Sequence, residues 1–465
     1  MNRREFGILS ASSALTLAGP TAMAAPALGA GLTPFGSEAA GNKAGTIPPW
    51  TGGLTSVPEG MSWDPTKTQP PDFFASDKML YKVDQSNLSQ YAHLLSEGVQ
   101  DLIRKTGFYI KVYPTHRTVA YPDHVLKSIA LNVNRAKLDA AGGRLGFTGG
   151  LGGIPFPILD TTDPYKAGAQ LIWNHLTRWT GVYVNSQLTA FVVEGGGKPI
   201  LSATGTNHFY YSYYDPNMTS EKLDGVLYKL LNISSGPPTT VGNELVHWGS
   251  INPLKRPNQS WQVLAGQGRV RRTPNLSYDT PASQADGVSN YDEYYGFTGS
   301  PEEYDWRLIG KQEMLIPYNN NKIFSATAAQ FHGPKSVNPE FLRWELHRCW
   351  VLEATLHPGE RNVMAKRRMY IDEDMWQIAI TDTWDAKHNL FHNCMVVNAN
   401  FPNLPGFPNL PGTIFQNVFI TNLQTNNYVT LTGSYADPEY NRPWNFNQVS
   451  QTLFDPQTMA ASAAY

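Results

Sequence analysis

Residues 343–356 constrain the fold more than any other stretch of this chain. Their even positions are Trp344, Leu346, Arg348, Trp350, Leu352, Ala354 and Leu356. The odd positions are Arg343, Glu345, His347, Cys349, Val351, Glu353 and Thr355. A two-residue period of this length predicts a β-strand with one dry and one wetter face. Segments 366–371 and 375–380 follow as a hairpin around Asp372-Glu373-Asp374, pairing Ile371 with Trp376 and Met369 with Ile378. A one-residue slip would set Arg368 against Ile378, which cross-strand packing disfavours. Segment 389–397 completes a four-strand meander, and strands recur at 413–421 and 428–432. The expected fold is α+β and β-rich: a large curved antiparallel sheet covered by N-terminal helices, because long twisted sheets curl and their dry face needs a cover.

Upstream, Leu88, Tyr91, Leu94, Leu95, Val99, Leu102 and Ile103 recur at helical spacing and predict a helix over 87–105. A strand is expected at 108–113, a helix over 125–137 after Tyr121-Pro122-Asp123, a glycine-rich loop at 142–153 and a helix over 164–179. Strands follow at 189–194, 208–214, 226–233, 244–249 and 261–270. Residues 25–75, rich in Gly, Pro, Ala and Thr, read as an extended arm. Residues 76–455 read as a single large domain and 456–465 as a loose tail.

Charged residues make up 16% and aromatics 12% of the chain, which excludes a disordered protein. Thirty-six basic against 38 acidic residues argue against a nucleic-acid partner, which needs a concentrated cationic surface. Past the N-terminus no window approaches the roughly 20 apolar residues of a membrane-spanning helix. Residues 1–24 read as a cleaved export signal: Arg3-Arg4 precede Glu5-Phe6, an apolar stretch covers 8–19, and Ala22-Met23-Ala24 is a small-x-small site. The arginine pair resembles a twin-arginine signal, with an ordinary secretory signal as the alternative. Either predicts a periplasmic chain, soluble or peripherally associated with the outer membrane. In that oxidising compartment Cys349 and Cys394 could bridge, but they fall in separate strands, so two buried thiols are expected.

A set of ordered motifs carries a family resemblance. It runs from Tyr113-Pro-Thr-His-Arg117, Gly153-Ile-Pro-Phe-Pro157 and Ile172-Trp-Asn-His175 through Arg269-Val-Arg-Arg-Thr-Pro274 and Tyr278-Asp-Thr-Pro281. It continues through Tyr304-Asp-Trp-Arg-Leu-Ile-Gly310, Ile316-Pro-Tyr-Asn319 and Asn338-Pro339 to Arg343-Trp-Glu-Leu-His-Arg348, Trp350-Val-Leu-Glu-Ala354 and Tyr370-Ile-Asp-Glu-Asp374. Together they resemble the bacterial domain-of-unknown-function family 1329 over roughly residues 75–455. The resemblance implies a half-barrel distantly similar to the lipoprotein carriers LolA and LolB, closed by helices around an apolar cavity. It also implies a partner of the resistance-nodulation-division transporter type. It carries no catalytic residues with it, and the chain departs from the family's usual run at Cys349 and Met375.

Signatures of chemistry are weak. His388 and His392 would stand about 13 Å apart on a strand, too far for one zinc. Asp372-Glu373-Asp374 lacks the further oxygens of a calcium loop and reads as a solvated hairpin turn. Gly195-Gly-Gly-Lys198 is followed by Pro199 where a phosphate loop needs Ser or Thr, and no Gly-x-Ser-x-Gly elbow occurs. No metal or cofactor is therefore expected. Glu345, Glu353, Asp372 and Asp305 are candidate carboxylates for glycosidase chemistry, although the neighbouring Arg and Lys residues offer them partners. Arg269, Arg271 and Arg272 either dock an anionic headgroup or partner, or tie the Asp-rich segment after them to the sheet.

The aromatic face remains. Trp344, Leu346, Trp350, Leu352, Trp376 and Ile378 would stripe adjacent strands and line a cavity, unless helices fill that face. The expected function is a periplasmic carrier or chaperone for a lipid, acyl chain or sterol-like molecule. The alternatives are an envelope hydrolase using paired carboxylates and a non-catalytic docking subunit.

Overall fold

A computed structural model describes residues 28–29, 31–139, 146–264, 266–273, 278–404, 406–407, 409–431 and 433–462. The expected export signal lies outside them. Residues 31–80 form no regular helix or strand; they run across the domain and bury Phe35, Ile47 and Phe73 in it.

Strand β1 (Tyr81–Val83) leads into a helical stretch that breaks in the middle. Helix α1 (Leu88–Tyr91) passes into a 3-10 turn, and α2 (Glu97–Thr106) restarts behind Ser96. The apolar spacing predicts one continuous helix here, but the Ser96 hydroxyl accepts the Val99 N–H at 3.3 Å and caps a new N-terminus. Strand β2 (Ile110–Val112), α3 (Asp123–Arg135), the small ladder of β3 (Lys137–Leu138) with β4 (Phe147–Thr148), and α4 (Pro164–Leu176) follow.

The next strands are β5 (Tyr183–Val193), β6 (Ile200–Tyr210), β7 (Val226–Gly236), β8 (Glu244–Ser250), β9 (Gln259–Val263) and β10 (Arg271–Arg272), with the one-turn α5 (Ser220–Leu223) before β7. They pair antiparallel in sequence order. After an irregular stretch come β11 (Tyr304–Pro317), the one-turn α6 (Ala328–Phe331), β12 (Trp344–Leu356), β13 (Lys366–Asp372), β14 (Ile378–Trp384), β15 (Leu390–Phe401), β16 (Gly412–Asn422) and β17 (Tyr428–Leu431). This second run is also an antiparallel meander, and its last strand pairs with β5, with Tyr428 opposite Val193. With β1 and β2, which join through the parallel pairing of Val112 with Trp344, the two runs form one open, curved 15-stranded sheet. Register shifts in β5, β6, β7, β11, β13, β14 and β15 add the local twist that such curvature needs.

The four-strand meander of 343–397 stands where the alternation places it, but the hairpin register differs. Ile371 faces Ile378, Tyr370 faces Ile380, and Trp376 sits in the turn at φ +55°. The turn is also not solvated. Asp372, Glu373 and Asp374 are buried, because the arm and Arg117 fold over them: Arg117 donates to both Asp374 oxygens at 2.7 and 2.8 Å. The wetter face of β12 is likewise dry, with Glu345, His347 and Cys349 buried. Alternation there separates polar from apolar side chains; burial depends on the cover.

Both faces of the sheet carry a helix. On one, α2 sets the Gly98 N–H on Asp382 Oδ2 at 2.8 Å. On the other, α4 crosses β11 so closely that a Cβ at Gly168 would stand 2.3 Å from the Trp306 carbonyl oxygen. At the C-terminus α7 (Pro456–Ser462) forms, and Phe454 and Met459 pack on Tyr183, Tyr210 and Val246. Among the described residues no helix is long and apolar enough to cross a membrane.

Candidate functional site

A hollow with a mainly apolar lining lies over β5–β8. Because side chains alternate along a strand, register puts Leu188 of β5, Asn207 and Phe209 of β6, Tyr228, Leu230 and Asn232 of β7, and Leu245 and His247 of β8 on one face. Phe209 pairs with Leu230, Leu230 with His247, and Asn232 with Leu245. Tyr228 pairs with Gly249, and its ring lies across that glycine: a Cβ at Gly249 would stand 2.4 Å from the ring. Tyr211 extends the aromatic floor, 5.7 Å from both Phe209 and Tyr228.

Residues 284–301 form the roof. They fold as short 3-10 turns held by a capping box between Asn290 and Glu293. Tyr295 adopts φ +53° in this turn, a conformation a bulky residue takes only when its surroundings hold it there. The holding contacts reach the second run of strands. Glu293 bonds His392 at 2.7 Å, Asp292 pairs with the fully buried Arg367, and Thr381 donates to the Gly296 carbonyl at 3.1 Å. On the outer side Tyr294 donates to Gln284 at 3.0 Å.

Floor and roof enclose about 720 Å³, counting space open to solvent at the mouth, lined by Leu188, Phe209, Leu230, Leu245, Tyr291 and Tyr294 among others. An adjoining hollow of about 550 Å³ shares Phe209, Tyr228, Tyr295 and Thr298 with it and ends at Trp173, Leu176 and Arg178, beside the C-terminus of α4. No Asp, Glu or Lys lines either hollow. Burial pushes His247 down to about 4, which keeps its ring neutral, and raises the phenols of Tyr211, Tyr228 and Tyr295. The cleft thus offers aromatic and aliphatic surface with a few neutral polar groups, a shape for binding rather than for acid–base chemistry.

The expected site residues lie elsewhere. Trp344, Leu352, Trp376 and Ile378 are buried in the core, Leu346 and Trp350 are half-buried, and none of the six lines the cleft. Lys311 covers Trp350, 4.2 Å from its ring, and the Trp376 indole donates to the Phe35 carbonyl of the arm at 2.9 Å. Arg269, Arg271 and Arg272 stand exposed at the outer edge of the sheet and make no ion pair among the described residues. Asp292 of the segment after them pairs with Arg367 instead.

The candidate carboxylates divide. Glu345, His347 and Asp372 converge in the core, with His347 Nε2 3.1 Å from Glu345 and Nδ1 3.6 Å from Asp372. Burial, together with the Asp374 charge, raises the Asp372 pKa. This group is buried, and Arg343 pairs with its Glu345 at 2.5 Å. Glu353 pairs with Arg368 at 2.9 Å, and Asp305 with His357 at 3.2 Å, both away from the cleft. His392 is occupied by Glu293, while His388 lies in an exposed turn. Both cysteines are free and buried.

Sequence reading located β7 and β8 without assigning their faces; the strand expected at 208–214 meets β6 only at 208–210, and Ser212–Tyr214 form a 3-10 turn. The signal available was the alternation of Tyr228, Leu230 and Asn232 against Leu245, His247 and Gly249, and the aromatic run Tyr291-Asp-Glu-Tyr-Tyr-Gly296. Only the pairing of the strands shows that these share one hollow.

The family model for proteins of unknown function, DUF1329, matches residues 82–460. The uncharacterized protein PA3922 of Pseudomonas aeruginosa is 34% identical over 397 residues, 83% of either chain. A DUF1329 family protein from Desulfovibrio piger is 15% identical, with a TM-score of 0.43 over 64% of this chain and 99% of that one. A LolA superfamily protein from Nitrosomonas europaea is 10% identical, with a TM-score of 0.34 over 60% of this chain and 92% of that one.

Proposed function

The chain belongs to the DUF1329 family, and we propose that it is a carrier that holds a hydrophobic molecule in the cleft between β5–β8 and the 284–301 roof. One observation carries this reading: the hollow is walled by Leu, Phe and Tyr side chains, no carboxylate or lysine lines it, and its roof is pinned to the far half of the sheet. Each methylene moved from water into such a lining contributes roughly 0.8 kcal/mol, so a short acyl chain binds without covalent chemistry.

The export-signal pattern at 3–24 supports a periplasmic site of action. The exposed arginines at the β10 edge are the part of the surface suited to a transporter or an anionic membrane face.

Native mass spectrometry and solvent extraction of protein purified from the periplasm test the carrier. A small hydrophobic molecule should co-purify, and a polarity-sensitive dye should compete with it. Leu230→Trp, which fills the floor, should weaken dye binding at least tenfold with the fold retained. Empty protein that takes up no dye would end the reading. Recovery of the protein from the cytoplasm alone would remove its periplasmic part.

A further inference from the structure

Arg178 is the feature of the cleft that a purely greasy occupant leaves unexplained. It follows α4 directly, is 6% exposed, and lines the inner end of the cleft. Its Nη1 donates to the His175 carbonyl at 3.0 Å, its Nε has no hydrogen-bond partner, and it makes no ion pair among the described residues. The nearest countercharge is partial: the carbonyl end of α4 and the face of Tyr295, whose centroid lies 5.3 Å from the guanidinium carbon. Around it stand Tyr211, Tyr214, Tyr228 and Tyr295, and burial lowers its pKa.

An arginine taken out of water without a carboxylate is costly, and the structure shows how the chain treats its other buried arginines. Arg117 has Asp374, Arg343 has Glu345, Arg348 has Glu373 and Arg367 has Asp292. Of these five, Arg178 is the one without a carboxylate partner among the described residues, and it lines a hollow. A buried guanidinium whose Nε is unpartnered, lining an otherwise uncharged hollow, matches an oxyanion carried on a hydrocarbon.

We propose that the occupant of the cleft is an anionic amphiphile, its carboxylate or phosphate on Arg178 and its chain along Phe209, Tyr228 and Leu230 toward the mouth. This rests on the carrier reading and adds the polarity and direction of the ligand. No bond is made or broken.

The test is a headgroup series at constant tail: dodecanoate, dodecyl phosphate, dodecanol and dodecyltrimethylammonium, each titrated by calorimetry into the whole protein. One or both anions should bind about 10- to 100-fold more tightly than dodecanol, as a charge-assisted contact supplies, and the cation should bind most weakly. Whichever anion leads identifies the headgroup as carboxylate or phosphate. In Arg178→Met the preference should vanish while dodecanol affinity stays within about threefold. Equal binding of anions and dodecanol by the unaltered protein overturns the headgroup assignment and leaves the carrier standing. Binding of none of the four overturns the carrier itself. The series on the unaltered protein decides the question even if Arg178→Met does not fold, and a folded Arg178→Met that keeps the anion preference also refutes the assignment.

Discussion

The imidazole Nε2 of His347 stands 3.1 Å from Glu345 Oε2, two residues away on one face of β12, and neither side chain reaches solvent. Glu345 also accepts the His116 N–H at 2.8 Å, Asn319 at 2.8 Å and Arg343 Nε at 2.5 Å. These bonds join the sheet to the segment that follows β2, so the group acts as a structural tie.

Glu345→Gln should therefore destabilise the protein by roughly 1–3 kcal/mol, because it removes one of the two carboxylates that Arg343 pairs with, Asp77 remaining at 2.6 Å, and weakens the buried bonds from His116 and His347. Burial by itself would raise the Glu345 pKa, but the His347 hydrogen bond and the Arg343 charge lower it below 4.5. A lowered carboxylate stabilises above its unfolded pKa, so the penalty should be full at neutral pH and shrink as pH falls through the folded-state value. Urea midpoints at several pH values measure it. Ligand affinity of the folded fraction should not change; a selective loss of activity with unchanged stability would contradict the structural role.

Arg367 and Asp292 are a buried pair that fastens the roof to β13. Arg367→Met should cost a few kcal/mol by stranding Asp292. It should also raise amide exchange through 290–298 more than in β12 or β15. Uniform loss of protection across the chain would mean that the pair does not act locally.

Asp382 titrates in the opposite sense to Glu345. Burial raises it from 3.8 to about 6, although Gly98, Asn393 and Ser96 donate to it. A raised carboxylate contributes stability that is full below its unfolded pKa and is lost as pH rises through the folded value. Asp382→Asn keeps a neutral group there at every pH. Relative to this variant, the unaltered protein should lose on the order of 3 kcal/mol between pH 4 and pH 7, since each pKa unit is worth about 1.4 kcal/mol. Parallel pH–stability curves for the two proteins would refute this.

Cys349 and Cys394 are buried, and burial together with nearby carboxylates pushes both thiols up. Neither should react with a thiol reagent in the folded protein, and both should react once guanidinium unfolds it without reductant. A missing pair of thiols in the unfolded chain would reveal a bridge.

Much of the sheet was legible because strand alternation is local. The pattern in 343–397 marks a meander, and the structure contains it. The break at Ser96 shows where local reading stops: apolar spacing runs through it unchanged, while one hydroxyl divides the helix. β11 went unread as a strand because its bulge between Leu308 and Gly310 shifts the alternation midway. The hairpin at 371–378 slipped for a related reason. Apolar pairing alone ranks registers, whereas here Arg117 and the arm hold the three acidic turn residues inside.

The sequence by itself determined a β-rich chain of one family, with an antiparallel meander over 343–397 and helices between its N-terminus and the sheet. Period, capping residues and turn residues act over a few positions and can be read there. Which face stayed open was decided only in three dimensions. Aromatic stripes on β12 and β7 look alike in one dimension, but α4 and the arm fill the space over the first, while the roof stands off from the second. That difference comes from contacts between residues more than a hundred positions apart, such as Tyr428 with Val193 where the two runs of strands join and Arg178 with Tyr295 across the cleft. Such distances are set by packing, and no local pattern encodes them.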